Sequence, residues 1–168
     1  TDSDEMAELI DSLRIHGKGT HRYLYDRIGI NSRLDTLQAA ILIEKLAIYA
    51  EEIEKRQQVA QRYTNALSNR FETPHIPDGL TSVWAQYTIK TRSREERDAL
   101  QSRATAAGIP TVVYYPLSLH RQKAYADYPT DPAGLAVSDD LADRVISLPM
   151  HAYLTAEDQE RVIAAVIG

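Results

Sequence analysis

Cysteine is absent from this 168-residue sequence, which excludes disulfide bonds, thiolate zinc sites and cysteine nucleophiles. The sequence also lacks any apolar run close to the roughly 20 residues that a membrane-spanning helix needs. It shows no secretory or transit peptide pattern at its start. We therefore expect no membrane partner, and the composition is compatible with a cytoplasmic location.

Basic residues are the minority charge, since 19 Lys and Arg face 24 Asp and Glu for a net charge of −5. Nucleic-acid-binding proteins are usually basic, so we expect no nucleic-acid partner. Common catalytic motifs are missing as well: there is no Walker loop, GxGxxG, HExxH or nucleophile elbow. None of the five lysines lies in an apolar stretch that would lower its pKa for covalent work. We predict no catalytic residue and no metal site in this chain.

The composition of the chain is typical of a folded domain, because hydrophobic residues make up 43% and charged residues 26%. Helical spacing predicts a short helix over residues 3–14 and a long helix from Asp35 to Leu67, where Asp35 and Gln38 resemble a capping box. The first half of the long helix is apolar on every side, so it needs cover on every side. We expect a second domain or a second subunit to supply that cover.

The second half of the sequence alternates between strand and helix patterns. We predict strands over residues 84–91, 111–115 and 145–148, with helices over residues 93–107 and after Thr155. Residues 116–140 are predicted to be a loop with short helical pieces. This order predicts an α+β fold in which helices pack on a small sheet.

Cations gather in the stretch from His16 to Arg33, where only Asp26 opposes them; they are His16, Lys18, His21, Arg22, Arg27 and Arg33. Gly17 and Gly19 would let backbone N–H groups approach a ligand closely. The pattern predicts an anion site for phosphate or carboxylate, and a solvated basic loop is the alternative.

Asn31 and Arg33 lie two residues apart in an extended run, so their side chains should point the same way and could hold two parts of one anion. In the alternative interpretation, Asn31 makes a turn and Asp35 caps the following helix. Tyr114 and Tyr115 end a predicted strand and should therefore face opposite sides, with one of them directed to a site. Tyrosines supply 10 of the 12 aromatic residues, which favours contacts with polar ligands, although a single Tyr is more often structural.

Four segments resemble PLP-dependent sugar aminotransferases of the DegT/DnrJ/StrS type, in the right order and over nearly the whole chain: Leu13–Gly17, Gly29–Ala40, Gly108–Gln122 and Leu148–Gln159. The resemblance implies a fold-type I homodimer with its active sites between subunits. It also implies that the Schiff-base lysine and the Asp that pairs with the cofactor's pyridine nitrogen lie upstream of Thr1. The chain alone should then be inactive.

The same resemblance divides the chain into the end of the large cofactor domain with an active-site loop (1–34), a long linking helix (35–69) and the small C-terminal domain (70–168). It matches Asn31 to a residue that reaches across the dimer to the PLP phosphate. It matches Arg33 to a substrate contact. Tyr114 and Tyr115 match a pair near the sugar, where relatives carry His-Tyr. We add His16 as a substrate-binding candidate.

Residues 32–36 look closest to enzymes that aminate UDP-linked 3-keto-N-acetylglucuronic acid. The expected function is therefore amino transfer from glutamate to a nucleotide-linked keto sugar, for surface polysaccharide such as lipopolysaccharide O-antigen. Pyridoxal 5'-phosphate would serve as the electron sink. The alternative is a non-catalytic ligand-sensing or dimerisation module of the same fold.

Overall fold

The computed structural model describes residues 1–21 and 23–168, which form two units, Thr1–Ile48 and Tyr49–Gly168. The described residues contain five α-helices and two β-strands. In chain order these are α1 (Asp4–Leu13), α2 (Thr36–Leu67), β1 (Tyr87–Lys90), α3 (Arg94–Ala106), α4 (Ala136–Arg144), β2 (Val145–Leu148) and α5 (Ala156–Ile167).

The first unit consists of α1, an irregular segment that folds back on itself, and the start of α2. Ser3 caps α1, since its side chain accepts a hydrogen bond from the Met6 N–H at 3.3 Å. Helix α2 begins after Asp35, whose N–H donates to Gln38 Oε1 at 3.3 Å. This contact is the glutamine half of the predicted capping box.

The second unit is built on an antiparallel pair of strands, in which Tyr87 lies opposite Leu148 and Lys90 opposite Val145. The second half of α2, with α3 and α5, supplies most of the remaining core side chains. Among the most buried core residues are Tyr63, Leu67, Tyr87, Ile89, Leu100, Ala104, Ile146 and Val166. Ser93 and Thr155 cap α3 and α5 through their side chains, at the positions that the sequence predicts.

The predicted α+β class is confirmed, but three elements differ from expectation. Residues 111–115 do not form a strand: only Val112 pairs, with Ser147, through N–O contacts of 3.2 and 2.8 Å. The prolines at positions 110 and 116 bracket this stretch and cannot donate to a ladder. The first strand is shorter than predicted, because Trp84 adopts a positive φ of 49° just before it.

Residues 116–140 contain the short helical pieces that the sequence predicts, as 3-10 helices at Leu119–Arg121 and Lys123–Tyr125. The third difference is α4, which begins within this stretch at Ala136 and continues beyond it to Arg144. Its sequence contains three aspartates and buries only Ala142, so neither propensity nor periodicity marks it as a helix. Tertiary contacts described below stabilise it instead. No helix in residues 1–21 and 23–168 is both long and apolar enough to cross a membrane.

Candidate functional site

Asn31 and Arg33 occupy the extended segment between Gly29 and α2, and their side chains meet. Arg33 Nε donates to Asn31 Oδ1 at 3.1 Å, so the two side chains lie on the same side, as the residue spacing predicts. Because Asn31 accepts through its oxygen, it presents its amide NH2 as a donor beside the two terminal nitrogens of Arg33. This set of adjacent donors suits a phosphate or a carboxylate.

Backbone hydrogen bonds tie this segment to the end of α1. The Ile30 N–H donates to Leu13 O at 2.9 Å, and the Ser32 N–H donates to Arg14 O at 2.8 Å. In return, the His16 N–H donates to Ile30 O at 2.9 Å. The position of the intervening Asn31 is therefore set by main-chain contacts on both sides of it.

Two glycines allow that close approach. A Cβ built on Gly29 would lie 2.2 Å from the Gly17 nitrogen, and one built on Gly17 would lie 1.9 Å from Arg27 O. Gly17 also has a φ of +77°, a conformation that L side chains rarely adopt. The sequence predicts that a ligand approaches the backbone at Gly17. In the structure a neighbouring segment of the same chain makes this close approach instead.

Two other cations of the basic loop, Lys18 and Arg27, lie at a cavity whose lining does not include Asn31. Arg27 donates to Ser12 Oγ on α1 at 3.3 Å, and with Lys18 it lines this cavity of about 690 Å³. Carboxylates from α1 and Asp26 line the same cavity, so its charge is mixed. His16 is exposed, and Arg22 lies outside the described residues.

Tyr114 and Tyr115 lie in the second unit, with 42% and 72% of their surface exposed. The expectation that they face opposite sides of a strand is wrong, because their segment is not a strand. Instead the rings meet edge to face, with centroids 5.8 Å apart. Tyr114 lines a cavity of about 240 Å³ with Gln86 and Met150, and Tyr115 lines a separate cavity of about 340 Å³.

No sequence pattern indicates the carboxylate that anchors the segment after this pair. Asp139 on α4 accepts from Ser118 Oγ at 2.7 Å and from Arg121 at 2.6 Å, and His120 Nε2 lies 3.3 Å from it. The Ser118 hydrogen bond, with the charges of Arg121 and His120, holds the pKa of Asp139 below its ordinary value. Local patterns cannot reveal contacts between groups about 20 residues apart.

Two lysines of the second unit are held by carboxylates. Glu51 Oε1 lies 2.6 Å from Lys55 Nζ and raises the lysine's pKa, opposite to the shift that covalent catalysis by lysine requires. Lys90 Nζ lies 3.5 Å from Glu72 and 3.4 Å from Asp140. In the part of the chain that the structure describes, no three His, Asp or Glu side chains are grouped closely enough to hold a metal ion.

A sequence profile described as the DegT/DnrJ/EryC1/StrS aminotransferase family matches residues 1–167. The UDP-2-acetamido-2-deoxy-3-oxo-D-glucuronate aminotransferase of Pseudomonas aeruginosa is 45% identical over 99% of this chain and 45% of its own length. The resemblance drawn from the four segments is thereby confirmed. The chain spans a little under half the length of this relative.

Solved structures agree with the sequence match. A DegT/DnrJ/EryC1/StrS aminotransferase from Brucella abortus superposes with a TM-score of 0.93 at 47% identity, over 100% of this chain and 44% of that one. NtdA of Bacillus subtilis, solved with its cofactor PMP bound, gives a TM-score of 0.86 at 28% identity over 99% of this chain and 40% of that one. The matches indicate pyridoxal phosphate as the cofactor.

Proposed function

This chain belongs to the DegT/DnrJ/EryC1/StrS aminotransferase family, and from that premise we propose that it is the C-terminal part of a sugar-nucleotide aminotransferase. The full protein moves an amino group from glutamate to UDP-2-acetamido-3-keto-glucuronate. The name and 45% identity of the Pseudomonas aeruginosa relative support this substrate. The product serves surface polysaccharide synthesis, including O-antigen, and the reaction takes place in the cytoplasm.

The paired donors at Asn31 and Arg33 carry the proposal. Asn31 donates its amide NH2 to the phosphate of pyridoxal phosphate, and Arg33 binds a carboxylate or pyrophosphate of the sugar nucleotide through its planar fork. The cofactor supplies an electron sink for amino transfer when it is bound. The donor chemistry fits an anionic group, because both side chains offer N–H donors from one side of an extended segment.

The remaining site residues act on the substrate. Tyr114 and Tyr115 contact the sugar through their hydroxyl groups, and their exposure leaves them accessible to it. His16, beside Ile30 in the same loop as Asn31, contributes a further substrate contact. The lysine that binds the cofactor covalently belongs to the protein's large domain, so the 168-residue chain is inactive by itself.

The full enzyme is a homodimer, and the apolar start of α2 is covered within it. Leu37, Ile41 and Leu46 are exposed in the first unit although they are large and apolar. Side chains of this kind are normally covered in a finished assembly. Residues 1–34 then close the large domain, residues 35–69 form the linking helix and residues 70–168 form the small domain.

Separate substitutions at Asn31 and Arg33 in the full-length enzyme test the proposed function. Asn31→Ala removes one hydrogen bond to a charged group, about 1.5–3 kcal/mol, and should weaken cofactor retention roughly 10- to 150-fold. Arg33→Lys keeps the charge but loses the planar fork, so it should slow the sugar half-reaction and spare cofactor binding. Stopped-flow absorbance follows the glutamate and sugar half-reactions separately.

Arg161→Lys is the matched control, because Arg161 is exposed and pairs only locally with Asp158 at 3.3 Å. It should leave both half-reactions unchanged. If Arg33→Lys slows both halves equally at full cofactor occupancy, Arg33 is not specific for the sugar. If the full-length protein binds the sugar nucleotide but transfers no amine to it, the ligand-sensing alternative replaces the enzyme.

A further inference from the structure

The segment that carries the tyrosine pair is fixed at two points. On one side, Val112 exchanges two backbone hydrogen bonds with Ser147 of β2. On the other side, Ser118 is buried, with only 8% of its surface exposed. The exposed Tyr114 and Tyr115 lie between these two points, so their orientation depends on both.

A single carboxylate makes the second attachment. Asp139 accepts from Ser118 and Arg121 through its two different oxygens, at 2.7 and 2.6 Å. His120 Nε2 approaches the same carboxylate at 3.3 Å. Three side chains from one four-residue turn therefore converge on Asp139, and no single one of them accounts for the attachment.

Helix α4, which presents Asp139, is itself fastened to the core. Ala142 is buried, and the guanidinium of the buried Arg97 on α3 donates to its carbonyl at 3.5 Å. At the end of α4, Arg144 Nε donates to Thr91 O at 2.8 Å, next to β1. Asp139 is thus held in place by contacts other than those that it makes with the tyrosine segment.

We propose that Asp139 is a positioning residue for the sugar nucleotide, which holds the turn after Tyr114 and Tyr115 so that their side chains meet the substrate in one orientation. The inference rests on the proposed function, because it assumes that the tyrosines contact the sugar. In this role Asp139 acts through Ser118, His120 and Arg121 and not by a contact of its own with the sugar or the cofactor. Its removal should therefore change substrate affinity and leave the chemistry with the amino donor intact.

The test compares Asp139→Ala with Asp143→Ala in the full-length enzyme. Both aspartates lie on α4, but Asp143 makes only an exposed pair with Arg94 at 3.4 Å. Losing the orientation of one substrate hydrogen bond should raise the KM for the sugar nucleotide about tenfold in Asp139→Ala. The glutamate half-reaction should stay unchanged, and Asp143→Ala should alter neither value by more than about twofold.

A double-mutant cycle with Tyr115→Phe separates positioning from general stabilisation. If Asp139 acts through the tyrosine pair, its effect on KM should shrink once the Tyr115 hydroxyl is gone. Additive effects, or an equal fall in both half-reactions, would overturn the positioning role. If neither Tyr114→Phe nor Tyr115→Phe alters sugar kinetics, the proposed sugar contact fails; a response to either of them but none to Asp139→Ala removes only the positioning role.

Partial variants keep the proposal testable if Asp139→Ala does not fold. Ser118→Ala and Arg121→Gln each delete one donor and leave the carboxylate with its other partners. Each should raise the KM for the sugar nucleotide two- to fivefold without changing the glutamate half-reaction. Unchanged KM values in both variants would overturn the role of Asp139.

Discussion

The two units of the chain bury their apolar side chains to very different extents, and α2 contributes to both. In Tyr49–Gly168, the α2 residues Val59, Tyr63 and Leu67 are at most 5% exposed. In Thr1–Ile48, Leu37 and Ile43 of the same helix are 75% and 65% exposed. The helix is continuous in secondary structure, but only its second half packs into a core within this chain.

The first unit is ordered in another way. Helix α1 has no buried residue. The segment that follows it in the chain is nevertheless held by main-chain hydrogen bonds and by the close approach of Gly17 and Gly29. Its geometry therefore depends on the backbone, whereas that of the second unit depends on side-chain packing. A segment held in this way can place Asn31 and Arg33 reproducibly, although many large apolar side chains of the first unit are exposed.

We expect the largest difference between the units in the loss of stability when a leucine of each unit is replaced by alanine. Leu100→Ala removes a side chain that is 0% exposed in the second unit, and it should lower the free energy of unfolding by about 2–5 kcal/mol. Leu37→Ala in the 168-residue chain should change the free energy of unfolding by less than about 0.5 kcal/mol, because the Leu37 side chain is exposed and packs into no core. Urea unfolding followed by circular dichroism measures both; equal losses would mean that the first unit has a core of its own.

A charge placed on the apolar start of α2 should have the next largest effect, this time on the full-length enzyme. Ile43→Glu would bury an unpaired carboxylate if α2 is covered by another domain or subunit, which costs several kcal/mol. We expect the dimer dissociation constant to rise roughly 100-fold or more, measured by light scattering across a dilution series.

The matched control is Gln58→Glu, which introduces the same side chain at an exposed position of α2 in the second unit. It should leave the dimer unchanged. Unchanged dimers in Ile43→Glu would show that the interface lies elsewhere. A lower yield of folded protein, with the folded fraction still dimeric, would instead indicate that the enzyme's own large domain covers this part of α2.

Local signals in the sequence predict most of the elements. The caps Ser3, Ser93 and Thr155 all accept the expected backbone hydrogen bond, and β2 has the predicted bounds of Val145 to Leu148. A cap acts within three residues, and a short β-rich run ended by proline is equally local. The exposed apolar start of α2 was also predictable, since residues that are apolar on all sides need cover.

The features that the sequence does not predict depend on contacts between residues that are distant in the sequence. Helix α4 carries Asp139, whose partners begin 21 residues earlier, so nothing in its own sequence marks either the helix or the anchor. The prediction for the tyrosine pair is wrong because alternation requires an extended backbone held by hydrogen bonds, and the backbone pairing of this segment stops at Val112. The same alternation correctly predicted that Asn31 and Arg33 share a side, because their segment is extended and held by hydrogen bonds.

The smallest effect that distinguishes the units is a change of protonation. Tyr63 and Tyr87 of the second unit are fully buried, with ring centroids 5.0 Å apart, and burial raises the pKa of both hydroxyls. Tyr23 and Tyr25 of the first unit are exposed. Two of the ten tyrosines should therefore keep their protons at a pH where an unfolded tyrosine, whose pKa is about 10, has lost most of its own.

The sign of the stability effect follows from linkage. Above about pH 10 the unfolded chain releases protons that folded Tyr63 and Tyr87 retain, so stability is complete below that pH and falls as the pH rises further. Phenolate absorbance should show a late step that coincides with unfolding by circular dichroism. Tyr63→Phe should reduce that step, because it removes one of the two buried hydroxyl groups whose pKa burial raises. A single step for all ten tyrosines, with the helices still intact, would contradict the buried pair and weaken the contrast between the two units.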